Sequence, residues 1–136
     1  MLRNRLGKDL LIFDGAMGTQ LQAAGLKAGE IPEVYNIEHP DILVDSGYCY
    51  CDMIKAAVAN AKKARELVNK EAYIVLDIGP IGQLLEPLGT LTFDEAYEII
   101  ASQVLLVKDE VDAVLLETMT DLYEVKAGIL AVKENS

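Results

Sequence analysis

Basic charge is scarce in this sequence: 12 lysines and arginines stand against 22 aspartates and glutamates, giving a net charge of −10 over 136 residues. Such a surface repels phosphate backbones and anionic lipid head groups, which argues against nucleic-acid and membrane partners. Long apolar runs are missing too, and no stretch approaches the roughly 18 residues that a membrane span needs. The segment from Met1 to Lys8 carries basic residues but no long apolar core with a small-residue cleavage site. No signal peptide is therefore expected, and the expected compartment is the cytoplasm. Cysteine is limited to Cys49 and Cys51. Their spacing sets the thiols awkwardly for a disulfide, a cytosolic chain keeps them reduced, and no further cysteine completes a metal site. They read as incidental thiols. With 51% hydrophobic and 25% charged residues the composition is globular, and the length suits one domain, 1–136, able to bury a core.

What the sequence does have is three short apolar runs that each stop on an acid. Leu10-Leu11-Ile12-Phe13 meets Asp14, Tyr73-Ile74-Val75-Leu76 meets Asp77, and Ala113-Val114-Leu115-Leu116 meets Glu117. Continuous apolar runs are the pattern of buried parallel strands, and in α/β folds ligands bind beyond the carboxyl ends of those strands. Three carboxylates at one rim suit a ligand with a positive group, such as an amino acid's ammonium. After the first run, Gly15-Ala16-Met17-Gly18-Thr19 reads as a turn whose glycines let backbone approach a ligand closely.

Three helices follow from periodicity. Ile54, Ala57, Val58, Ala61, Ala64 and Val68 recur at helical spacing between Met53 and Val68. Thr92-Phe93-Asp94-Glu95 fits a capping box ahead of the stripe Phe93, Ala96, Tyr97, Ile100, Val104 and Val107. Asp121 with Glu124 reads as a second cap, followed by Leu122, Val125, Ile129 and Val132. Alternating strands and helices predict a parallel sheet with crossover connections. Between Asp14 and Asp77, however, no second convincing strand is legible; either a short one lies near Ile42-Leu43-Val44 or a unit is missing.

Asp14-Gly15-Ala16-Met17-Gly18-Thr19 after a strand resembles the opening motif of the homocysteine S-methyltransferase family. Further segments are similar in order: Tyr35 to Asp41, Asp77 to Gly82 continuing through Glu86-Pro87-Leu88-Gly89, and Leu116 to Asp121 with Glu124 to Ala127. The likeness is closest to the homocysteine-binding barrel of cobalamin-dependent methionine synthase. It implies an α/β fold, a partial (β/α)8 TIM barrel covering roughly the first four βα units, with the second strand apparently missing. It also implies a substrate, homocysteine, bound at the carboxyl-end rim with its thiol ligated to zinc and methylated to methionine. On this resemblance the backbone from Gly15 through Ala16 and Met17 to Gly18 holds the substrate carboxylate, Glu117 takes the ammonium, and Asp14 lies close by. Backbone amides in a glycine-containing turn form an anion-binding nest, and a rim carboxylate pairs with an ammonium.

The departures count as well. Nothing in the sequence matches the family's three zinc cysteines, one of which lies in a Gly-Gly-Cys-Cys-Gly turn. Zinc presents homocysteine as a thiolate, whereas a free thiol with a pKa near about 8.5 is mostly protonated at neutral pH. The expectation is a chain that carries the amino-acid half of the site and is inactive alone. It would need the missing barrel half, or a corrinoid or other methyl-donor domain, as partner. A second reading is a non-catalytic half-barrel that self-associates as a homo-oligomer; a third is an unrelated barrel enzyme acting on a cationic small molecule. Blander roles also remain open. Asp14 and Glu117 could cap the turns after their strands, Asp77 could orient the loop at Gly79-Pro80, Met17 could be core, and His39 beside Pro40 reads as a surface or capping group.

Overall fold

The computed structural model describes residues 2–13, 21–23, 25–27, 50–68 and 71–136. After a 3-10 turn at Leu2–Asn4 the named elements run α1 (Tyr50–Val68), β1 (Val75–Ile78), α2 (Phe93–Val107), β2 (Ala113–Leu116) and α3 (Leu122–Asn135). The two strands pair in parallel, with Val75 opposite Ala113 and Ile78 opposite Leu116. Side chains alternate across a strand, so Leu76, Ile78, Val114 and Leu116 share one face. All three helices pack on that face: Ile54 and Val58 from α1, Ile100, Ala101, Val104 and Val107 from α2, and Ala131 from α3 join Leu76 and Ile78 in one cluster. A smaller cluster of Leu85, Leu91, Ala96 and Ala127 lies under the β1–α2 connection, and Ile81 and Tyr97 touch both.

The amino-end side of the sheet is fixed by Asp112. Its backbone N–H donates to the Ile74 carbonyl at 2.7 Å, and its carboxylate accepts from the Ile74 N–H at 2.9 Å. Arg65 of α1 reaches the same carboxylate at 3.4 Å, and Lys62 pairs with Glu110 at 2.7 Å. Such partly exposed pairs add about 0–1 kcal/mol each, so they orient α1 more than they stabilise it.

Each expected helix forms, but its buried face is not always the one periodicity suggests. In α1, Ile54 and Val58 are buried, whereas Leu67 and Val68 at the far end are exposed. In α3 the inward residues are Glu124, Ala127, Gly128 and Ala131, while Leu122 and Ile129 face out. Close approach explains the inversion. A Cβ at position 128 would lie 2.9 Å from Leu116 Cδ1 and 3.3 Å from Ile100 Cδ1, so position 128 admits no larger residue where α3 meets β2 and α2.

The expected strand at Leu10–Phe13 does not form. Residues 10–13 have no regular structure, with Leu10 and Ile12 each 85% exposed and Phe13 65% exposed. A strand needs a neighbour to satisfy its N–H and C=O groups; among the described residues β1 and β2 pair only with each other. Ile42-Leu43-Val44 lies outside the described residues. The sheet of this mixed α/β fold therefore has two strands among the described residues rather than three.

The capping box at the start of α2 forms as expected. The Glu95 N–H donates to the Thr92 hydroxyl at 3.2 Å, and the Thr92 N–H donates to Glu95 Oε2 at 2.9 Å. That backbone bond, and then the Thr92 hydroxyl, hold the Glu95 carboxyl below the ordinary glutamate range. The unfolded chain binds more protons in that interval. The stabilisation is therefore present above the ordinary glutamate pKa and is lost as pH falls through the lowered one. Thr92→Ala is expected to cost about 0.5–2 kcal/mol in urea unfolding and to flatten this acid-side decline.

Candidate functional site

The strand register sets the geometry of the carboxyl end. Asp77 stands opposite Leu115, on the face of the sheet away from the helices. Glu117 follows β2 by one residue, and its N–H donates to the Ile78 carbonyl at 3.1 Å, extending the ladder past Leu116. Two residues beyond Leu115, the Glu117 side chain returns to the face that carries Asp77. The two carboxyl groups meet there, both exposed. A hydrogen bond with Asp77, and then the Asp77 charge, raise the Glu117 pKa above the ordinary glutamate value. A neighbouring carboxylate of like charge disfavours the ionised form of Glu117.

Each strand end leads into a connection shaped for this arrangement. Beyond Glu117, Thr118 has φ 55°, a left-handed conformation that a β-branched residue seldom adopts. Its hydroxyl donates to the Glu117 carbonyl at 2.8 Å. Such strain is kept where the surroundings enforce it, often beside binding groups. Beyond Asp77 the chain passes through Gly79 and Pro80 to Ile81, whose N–H donates to Glu124 Oε1 at 2.6 Å. Gly82 then turns with φ 84°.

Of the residues expected to bind substrate, Glu117 is placed at the end of β2. Asp14, Gly15, Ala16, Met17 and Gly18 lie outside the described residues. Asp77, read as one of the rim carboxylates that could also orient its loop, lies beside Glu117. The signal was available: both runs end on an acid at the same end of adjacent strands. Glu124, expected to complete a helix cap, reaches across to Ile81. Asp121 caps α3 without it, accepting from the Tyr123 N–H at 2.7 Å. Among the described residues no group of three His, Cys, Asp or Glu could hold a metal, and Cys51 is an exposed thiol in the first turn of α1. These donors do not fit a zinc site built on thiolates. Among the described residues no helix is long and apolar enough to cross a membrane.

What the arrangement can do chemically is bind a cation. An ammonium beside the two carboxyl groups would favour the ionised form of Glu117 and pair with it. Comparison with known families finds the model for homocysteine S-methyltransferase matching residues 38–136, a span that holds β1, β2, Asp77 and Glu117 and begins after the Asp14–Thr19 motif. A comparison with curated proteins finds no match. With the match covering most of its length, the chain belongs to the homocysteine S-methyltransferase family.

Proposed function

We propose that this chain supplies the amino-acid-binding part of a homocysteine S-methyltransferase of the methionine synthase type, built as part of a (β/α)8 barrel. The observation that carries the reading is the Asp77–Glu117 pair at the carboxyl ends of adjacent parallel strands. In a barrel, helices cover one face of the sheet and the other face lines the interior, with active sites at the carboxyl end. Helices pack here against Leu76 and Ile78, while Asp77 and Glu117 occupy the opposite face. Glu117 takes the ammonium of homocysteine with Asp77 beside it, and the Gly15–Gly18 segment takes the carboxylate, with Asp14 as a further substrate contact. In this reading methyl transfer also needs zinc and a methyl donor, held by groups beyond the described residues. The chain alone is inactive and binds homocysteine weakly.

A calorimetric titration with homocysteine, with and without zinc, tests this on protein whose mass in solution is set by light scattering. Zinc-independent binding by a monomer supports the reading, and the absence of heat under both conditions contradicts it. The exposed apolar side chains of Leu10, Ile12 and Phe13 favour a second reading, a non-catalytic half-barrel that self-associates. It requires a dimer or larger species without binding.

A further inference from the structure

We propose that Glu124 is a positioning residue for the amino-acid site: from the first turn of α3 it clamps the loop after β1, and so fixes the spacing of the Asp77 and Glu117 carboxyl groups. The inference rests on the reading of that pair as the ammonium site. Glu124 is 3% exposed, the only charged residue buried among those described. It occupies the third helical position after the Asp121 cap, as Glu95 does after Thr92. The two glutamates behave differently. Glu95 turns back to its own cap N–H at 2.9 Å and stays exposed, whereas Glu124 accepts from Ile81 in a different connection at 2.6 Å.

That single bond joins the two segments leaving the paired strand ends. One runs from Asp77 through buried Ile78, Gly79 and Pro80 to Ile81; the other runs from Glu117 through strained Thr118 to α3. Ile81 also wedges its side chain between the two core clusters, so its backbone is held from both sides. Burying a carboxyl group is costly without a partner. Local capping needs no Glu124, because Asp121 already serves the Tyr123 N–H. The burial is explained by the long-range bond that Glu124 makes.

The test uses Glu124→Gln, which keeps an oxygen acceptor, and Glu124→Leu, which keeps volume and removes it. Carboxyl carbon NMR follows the titration of Glu117, amide exchange follows Ile81, and calorimetry follows homocysteine. Glu124→Gln is expected to leave the Glu117 midpoint and the Ile81 protection near wild type. Glu124→Leu is expected to bring the Glu117 midpoint down toward the ordinary glutamate value and to weaken homocysteine binding about ten-fold, with a cooperative fold retained. A folded Glu124→Leu protein with an unmoved Glu117 midpoint would overturn the proposal. If Glu124→Leu does not fold, the wild type and Glu124→Gln decide: an Ile81 amide exchanging as fast as exposed loop amides in either overturns it, and protection in both with an unchanged Glu117 midpoint upholds it. If wild type fails to bind homocysteine, the substrate reading falls, while the titration and exchange still decide the role of Glu124.

Discussion

Glu117→Gln is expected to weaken homocysteine binding about 10- to 100-fold at neutral pH while leaving the fold at least as stable as wild type. The two effects have one cause. At the end of β2 the Glu117 carboxyl group lies against Asp77, which raises its pKa above the ordinary range through a hydrogen bond and its charge. Between the ordinary value and the raised one, the folded protein binds more protons than the unfolded chain. Stability therefore falls as pH rises through that interval, and by neutral pH the pair opposes folding. A glutamine cannot ionise. It keeps the hydrogen bond to Asp77 and removes the repulsion, but it offers an ammonium one carboxylate instead of two. Lost affinity with retained or raised urea midpoint is the pattern of a binding group held at a cost in stability. Equal loss of stability and affinity would instead make Glu117 a structural cap.

Ile100→Ala is expected to remove about 2–5 kcal/mol of stability, a large share of the roughly 5–15 kcal/mol typical of a domain. Ile100 is fully buried at the point where α2 meets α3 and β2. Its Cδ1 lies 3.3 Å from where a Cβ on Gly128 would stand, and Leu116 fills the other side of that space. Of the residues clustered with it, Ala101 and Ala131 have side chains too short to fill the gap. The cavity term therefore persists, placing the cost toward the upper part of the range. Chemical denaturation monitored by circular dichroism checks this; a loss below about 1 kcal/mol would mean that the three-way contact is loosely packed.

Local signals were the legible part of the fold. The Thr92–Glu95 box, the acid at the end of each paired strand and the three helices depend on residues within a turn or two of one another, and all are found. Tertiary choices were harder to read. Periodicity assigned Leu122 and Ile129 to the buried face of α3, because apolar size outweighs small residues in any sequence pattern. The structure turns Gly128 and the alanines inward, since β2 and α2 approach too closely for longer chains. Leu10–Phe13 has a strand's composition, yet composition does not supply a ladder partner. At the site, Glu117 was legible from the motif around it. Asp77 beside it was legible as well, from the acid that ends each run, whereas the Glu124 bond to Ile81 was not, because it joins residues 43 positions apart whose contact only helix packing creates.

The central claim, that an ammonium binds beside Asp77 and Glu117 and favours the ionised form of Glu117, is tested most directly by counting protons released on homocysteine binding. Calorimetry in buffers of differing ionisation enthalpy gives that count at each pH. The account predicts net release in the interval where Glu117 is still protonated in the free protein, fading at higher pH, and abolished in Glu117→Gln. Binding with no release at any pH, or with release that survives in Glu117→Gln, would contradict it.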